Sequence, residues 1–451
     1  MTINAFTLKE LRQLARTKSI SFSLIAFLFV ALLIAYAVPV FGGMRQDTGE
    51  MMFFGINGLL AMMLCVVLPS EVFSFLDKER GSARQQADFT MLTALPPSEV
   101  IDGKLRGAFA LMALFTTAAL PFGVLAYLMH GITFLVMLRM LVLTLCASCI
   151  TTHLALAIAA MKVPRIVRRC VYAVFMFGVI SAGLLVLCGF GADHFVIRSK
   201  AFWAIVALSV TVCMIVRGFA ISFFAPVVTE RDVPLRLAVV AAVTGWLAFI
   251  LVSGNIDAMP LWVAALTAGS FTLAIHSMAQ PLGYSRRMLA SRPRNLILRA
   301  LFFPLSSATV NGFVFACIVG GAAALVTRHM LAEEWDVAWA GQRWSLATVL
   351  LYFYSILLLA RWVWRIFFSR RSSPALVPLM AIGLFAFLQT IPPYIGYDGN
   401  IAEFNSTPFY CPGIIAEPRT HLFQAVLAFA FAFGINFITS IIASILRARK
   451  K

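Results

Sequence analysis

Few residues in this 451-residue chain could do chemistry, and those that could are scattered. Of six histidines, His153 and His276 lie inside apolar stretches. There an imidazole serves more readily as a packing or interhelical hydrogen-bonding group than as a metal ligand. Eight cysteines are present. Cys65, Cys146, Cys149, Cys170, Cys188, Cys213 and Cys317 fall in or beside apolar stretches, where Cys acts as a small hydrophobe. Cys411 sits in a long polar segment with no loop partner, so no disulfide framework is expected. Cys146 and Cys149 form a CxxC in the middle of an apolar run, which reads as packing before metal or redox work. No phosphate-cradling GxxxxGK[ST], HExxH or GxSxG occurs. The chain is therefore expected to have no catalytic, metal or cofactor site of its own and not to be an enzyme.

Three ionisable residues remain inside apolar runs: Glu71, Arg139 and Arg217. A charge at the centre of a membrane helix costs about 2.5–3.5 kcal/mol on insertion scales, which makes each a functional candidate. All three lie near the end of their run, so the alternative is a side chain that snorkels to the interface. No Asp, Glu or His series crosses the middle of the runs, as proton-coupled transport would need.

The elements that carry these residues follow from composition. Hydrophobic residues make up 61% of the chain and charged ones 12%, against roughly 25% charged in a soluble domain. A bilayer is the solvent that tolerates this balance, and about 20 apolar residues suffice to cross it. Twelve such runs occur, at about 20–42, 51–75, 105–129, 132–161, 170–192, 201–224, 237–255, 261–281, 300–327, 344–368, 375–394 and 421–446. The first is too long for a signal peptide core and reads as a retained span. The expected fold is all-α and polytopic, with about twelve transmembrane helices and both termini cytoplasmic.

Charge tests the count. With the N terminus inside, the inner segments hold 29 of the 36 Lys and Arg. The outer loops hold Arg45, Arg198, Lys200, Arg328, Arg343 and Arg419, and Arg139 stays within a span. That asymmetry is the positive-inside bias, and one miscounted span would destroy it. It also accounts for the net charge of +17, which in a soluble chain would suggest nucleic acid; no nucleic-acid partner is expected here. The chain divides near 225–236 into 1–224 and 225–451, each with six runs and each with its most basic inner loop after the second run. That is the layout of a parallel repeat. Residues 1–19 read as an amphipathic helix lying in the interface plane.

The most informative stretch is the inner loop 76–104. The second run continues as a charged helix through Asp77-Lys78-Glu79-Arg80 and is expected to break at Gly81. After Leu95-Pro96-Pro97 a short helix is expected, with Ser98 as its N-cap and Gly103 as its C-terminal glycine. Lys104 and Arg106 then mark the return to the membrane. Such a surface helix on a two-span hairpin could receive a push from a partner or merely space two helices.

Glu79-Arg80-Gly81-Ser82, Leu95-Pro96 and Gly103-Lys104 resemble the inner loop of the type-2 family of ABC-transporter permeases, and Leu120-Pro121 and the 5–18 segment fit the same pattern. The likeness covers 1–224 by motif and reaches 225–451 only as a six-span layout. Ser82 through Asp88 is more polar than the family's leucine-rich run, and twelve spans exceed the usual six per chain. The resemblance implies a transport permease, mostly of the exporting kind, in a bacterial plasma membrane. It implies a separate ATP-binding cassette subunit as partner, with ATP bound there and not on this chain. The coupling residues would be Glu79, Arg80, Gly81, Leu95, Pro96, Ser98, Gly103 and Lys104, and a second permease chain is a further partner class. Two rivals stay open. One is a twelve-span secondary carrier of the major facilitator type, which the acidic-Gly-basic run 77–84 also echoes. The other is a lipid-modifying membrane enzyme using Asp398, Glu403 and His421.

Overall fold

The computed structural model describes residues 17–42, 48–81, 97–161, 163–189, 199–225, 232–253, 259–278, 303–305, 309–333, 345–367 and most of 425–435, with a few single positions besides. All the regular structure among them is helical. Among the described residues, seven helices are long and apolar enough to cross a bilayer: Lys18–Phe41, Thr48–Asp77, Pro97–Leu128, Phe134–Ala160, Ile205–Phe224, Val310–Thr327 and Val349–Ile366. The protein is an all-helical integral membrane protein. Its large exposed apolar side chains, such as Phe22, Phe29 and Phe41 on the first helix, are what lipid, and not water, would cover.

The chain forms two compact units, Met1–Ala225 and Pro226–Lys451. In the first unit, α1 is Lys18–Gly42. Next comes one rod built of α2 (Thr48–Met62), a π-turn (Met63–Val67) and α3 (Leu68–Gly81). Then follow α4 (Pro97–Leu128), α5 (Phe134–Ala160), α6 (Arg165–Gly189) and α7 (Ser199–Phe224).

The π-turn has a local cause. Pro69 brings no N–H, so a carbonyl one turn earlier loses its donor. The helix widens there, with Leu68 N–H bonding to Met63 O, and Ser148 Oγ of α5 donates to Leu64 O at 2.9 Å. A carbonyl left bare in a membrane interior is costly, and a hydroxyl from a neighbouring helix is one of the usual remedies.

Three apolar layers fill the unit along this rod. Met52, Phe53, Ile56, Ala126 and Met140 form one end. Leu60, Leu64, Leu111 and Phe115 lie in the middle with Phe27 of α1. Val72, Phe73, Leu76, Ile101, Leu105, Ala155 and Val216 form the other end. The α4–α5 turn reverses at His130 (φ 62°) and Gly131 (φ 93°). Gly49 sits against this corner, where a Cβ would strike the carbonyl oxygens of His130 and Ala126.

In the second unit, α8 is Val233–Ser253, α9 Met259–Met278, α10 Thr309–Glu333 and α11 Ser345–Phe367. A further apolar helix runs over Ala425–Ile435. Trp262 Nε1 of α9 donates to Val243 O of α8 at 3.2 Å, and Tyr354 Oη of α11 donates to Ala316 O of α10 at 3.0 Å. Phe313 stands edge-on to Tyr354 and stacks on Phe429, at 5.5 and 6.3 Å between centroids.

One expectation is corrected outright. Residues 98–103 are not a separate short helix. They are the opening turns of α4, which runs unbroken for 32 residues into the membrane. The helix starts at Pro97, so Ser98 is its second residue and not its cap. Gly103 keeps helical backbone: Gly131 is the positive-φ glycine among the described residues, and a C-terminal glycine needs that left-handed geometry. Lys104, expected to mark the return to the membrane, lies within this helix and is 4% exposed. Residues 1–11, 82–96 and 382–424 lie outside the described residues, and with them Leu95, Pro96 and the polar loop carrying Asp398, Glu403 and Cys411.

Candidate functional site

Charged side chains gather where α3 ends, α4 and α6 begin and α7 ends, over the apolar layer of Val72, Leu76, Ile101, Leu105 and Val216. Asp77, in the last turn of α3, is 2% exposed. A carboxylate so placed must be paired and hydrogen-bonded to remain charged without a large penalty. Three arginines supply this. Arg168 donates through Nε at 2.9 Å and also through Nη2. Arg165 and Arg169 each donate through Nε at 3.1 Å. The spacing i, i+3, i+4 puts all three on one face of the first turn of α6. Arg168 is itself buried and sends Nη1 to Met161 O at 3.4 Å. Nearby, Phe73 of α3 stacks on Tyr172 of α6, 3.9 Å between centroids and 8° from parallel.

A second ion pair joins α4 to α7. Arg217 donates Nε to Asp102 Oδ1 and Nη2 to Asp102 Oδ2, both at 2.6 Å. This fork-to-fork pairing fixes orientation as well as distance. The two residues are 33% and 26% exposed. His153 of α5 bonds through Nδ1 to Cys149 O at 2.7 Å. Lys104, two residues along α4 from Asp102, lays Nζ 4.5 Å from the centre of the Phe75 ring, a cation–π contact that offsets part of its burial. At the start of α1, Ser19 Oγ donates to Glu71 Oε1 at 2.5 Å.

The second unit has its own buried network. Asp232, 0% exposed, precedes α8 and faces His276 near the end of α9, with Nε2 3.2 Å from Oδ1. Arg236, one turn along α8, reaches Asp232 Oδ2 at 3.5 Å through Nη2 and Pro304 O at 2.7 Å through Nη1. Gly312 leaves room for that guanidinium: a Cβ there would lie 2.7 Å from Arg236 Nη2. Arg361 of α11 donates to Met278 O, the last carbonyl of α9, where a cation also suits the helix dipole. Its guanidinium lies 5.0 Å from the Trp364 ring.

Of the sequence-predicted residues, Glu71, Ser98, Gly103, Lys104 and Arg217 fall at this charged end of the first unit. Gly81 ends α3. The side chains of Glu79 and Arg80 lie outside the description. Arg139 belongs elsewhere: it is in the second turn of α5, at the opposite end of that helix from Ala160. Sequence reasoning missed Asp77, Asp102 and Asp232 as sites. Only the triple-arginine spacing at 165, 168 and 169 and the Asp232–Arg236 step of four residues hinted at partners.

Both oxygens of Asp77 and both oxygens of Asp102 accept from guanidinium groups. No group of three or more His, Cys, Asp or Glu placed to hold a metal occurs among the described residues. The chain matches no family model, no curated protein and no solved structure.

Proposed function

We propose that this chain is the membrane-spanning permease subunit of an ATP-driven, ABC-type transporter, an exporter coupled to a separate ATPase chain through residues 76–104. It is not itself an enzyme, and ATP binds on the partner. About twelve helices cross a bacterial plasma membrane in two sets of six, with both termini cytoplasmic. The packing supports two like sets. In the first unit the α2–α3 rod meets α4, and α4 and α5 both meet α7; in the second, α9 meets α10, and the 425–435 helix meets both α10 and α11.

The observation that carries the reading is α4 itself. Its first turns belong to the proposed coupling segment, and it continues without a break into the membrane. Asp102 locks those turns to α7 through Arg217. A push delivered at Pro97–Asp102 therefore moves two membrane helices as one body, because a helix transmits axial load and the bidentate pair resists rotation.

The test is reconstitution of the full chain with its ATPase in vesicles. Wild type should show ATP-dependent export. Asp102→Asn and Arg217→Gln should each lower transport per ATP hydrolysed severalfold while the chain still inserts at normal levels. Transport that runs on an ion gradient without any ATPase would establish the secondary carrier instead. A lipid turnover lost in Asp398→Ala or His421→Ala would establish the enzyme.

A further inference from the structure

We infer that Arg165 and Arg169 form a binding site for the phosphate headgroup of an anionic phospholipid, whose chains lie along α6. Three guanidiniums share the single carboxylate of Asp77, so the cluster keeps two positive charges in excess. Arg168 is consumed by burial and by its bonds to Asp77 and Met161. Arg165 and Arg169 are not: they are 49% and 56% exposed. Among the described residues each engages Asp77 through Nε, so the half-exposed forks keep their Nη groups for a second acceptor. Two outward forks one helical turn apart match the oxygens of a phosphodiester, the geometry in which arginine outperforms lysine.

The neighbouring surface says what kind of phosphate fits. Ile166, Val174 and Phe177 are 78%, 73% and 75% exposed. They run down the flank of α6 beside the arginines, an apolar stripe that acyl chains would cover. A free phosphate or an acidic protein would use the forks and leave the stripe bare; a phospholipid uses both. Basic residues at the membrane surface attract anionic lipid.

The experiment uses the full chain in mild detergent, with phosphatidylglycerol or phosphatidylcholine added, and counts retained lipids by native mass spectrometry. Wild type should retain phosphatidylglycerol preferentially. Arg165→Gln/Arg169→Gln should reduce that preference by about tenfold. Arg165→Lys/Arg169→Lys, with charge but no fork, should fall between. Arg106→Gln, which removes an exposed basic residue of α4, should leave the preference unchanged. Circular dichroism checks the fold, and if the double variant loses helix, Arg169→Gln alone carries the comparison. An unchanged preference in the glutamine variant overturns the inference, as does an equal loss in Arg106→Gln. So does complete displacement by millimolar inorganic phosphate, or equal retention of both lipids with an acidic peptide bound instead. None of these outcomes depends on whether the chain works with an ATPase.

Discussion

Asp77 and Asp102 both meet arginine, yet their surroundings set different demands. Asp77 is buried and is shared by three guanidiniums. Removing its charge leaves those cations facing one another and strands the buried Arg168. Asp77→Asn should destabilise the first unit by about 3 kcal/mol, the scale for breaking a buried pair, read as a fall in the thermal unfolding midpoint in detergent. Arg165→Gln removes a half-exposed member and should cost about 0.5 kcal/mol. A similar loss for both would mean that Asp77 is not the hub. Arg217 was legible from sequence as a charge within an apolar run. Its partner was not: Asp102 lies 115 residues away, and only packing of α4 against α7 selects it from the carboxylates of that loop. The same holds for His276, whose hydrogen-bonding role was readable but whose acceptor Asp232, 44 residues distant, was not.

At the scale of elements, the apolar runs placed the helices well because a bilayer rewards one signal, continuous hydrophobicity, over a fixed length. The run expected at 20–42 appears as Lys18–Gly42 and that at 201–224 as Ser199–Phe224. The misreading at 98–104 has the same root. Gly103 and Lys104 look like an ending, because a glycine and a charge usually stop an apolar helix. Packing overrode both: Gly103 keeps helical φ and Lys104 hides its charge over Phe75. The π-turn escaped notice although Pro69 was in plain view, since a proline alone does not say whether the helix will kink, widen or find a side-chain donor. Its repair can be measured. Ser148→Ala should cost about 1 kcal/mol by stripping Leu64 O of its donor. In a Pro69→Ala background, where a backbone N–H is restored, the same change should cost much less. Equal costs in both backgrounds would separate the hydroxyl from the proline.

For the whole molecule, two native cysteines report the proposed orientation without engineering. Cys170 is exposed near the start of α6, on the side assigned to the cytoplasm, and Cys411 belongs to a loop assigned outside. A membrane-impermeant maleimide added to intact cells should label Cys411 and spare Cys170, and in inverted vesicles it should label Cys170 and spare Cys411. The reverse pattern would invert the topology; labelling of both from one side would change the parity of the spans between them. The rod of α2 and α3 carries a consequence of its own. A π-turn is an α-helix with one residue inserted, and one residue is about 100° of rotation. The rod therefore changes phase at Met63–Val67. Ahead of the shift, α2 faces chiefly α1 and α4; beyond it, α3 faces chiefly α5. A single-residue deletion at Val66 would leave the rod just as apolar and nearly as long, yet it would swing Asp77 away from α6. The reading frame of this span, counted in residues from Thr48, is thus a structural constraint that hydropathy does not register.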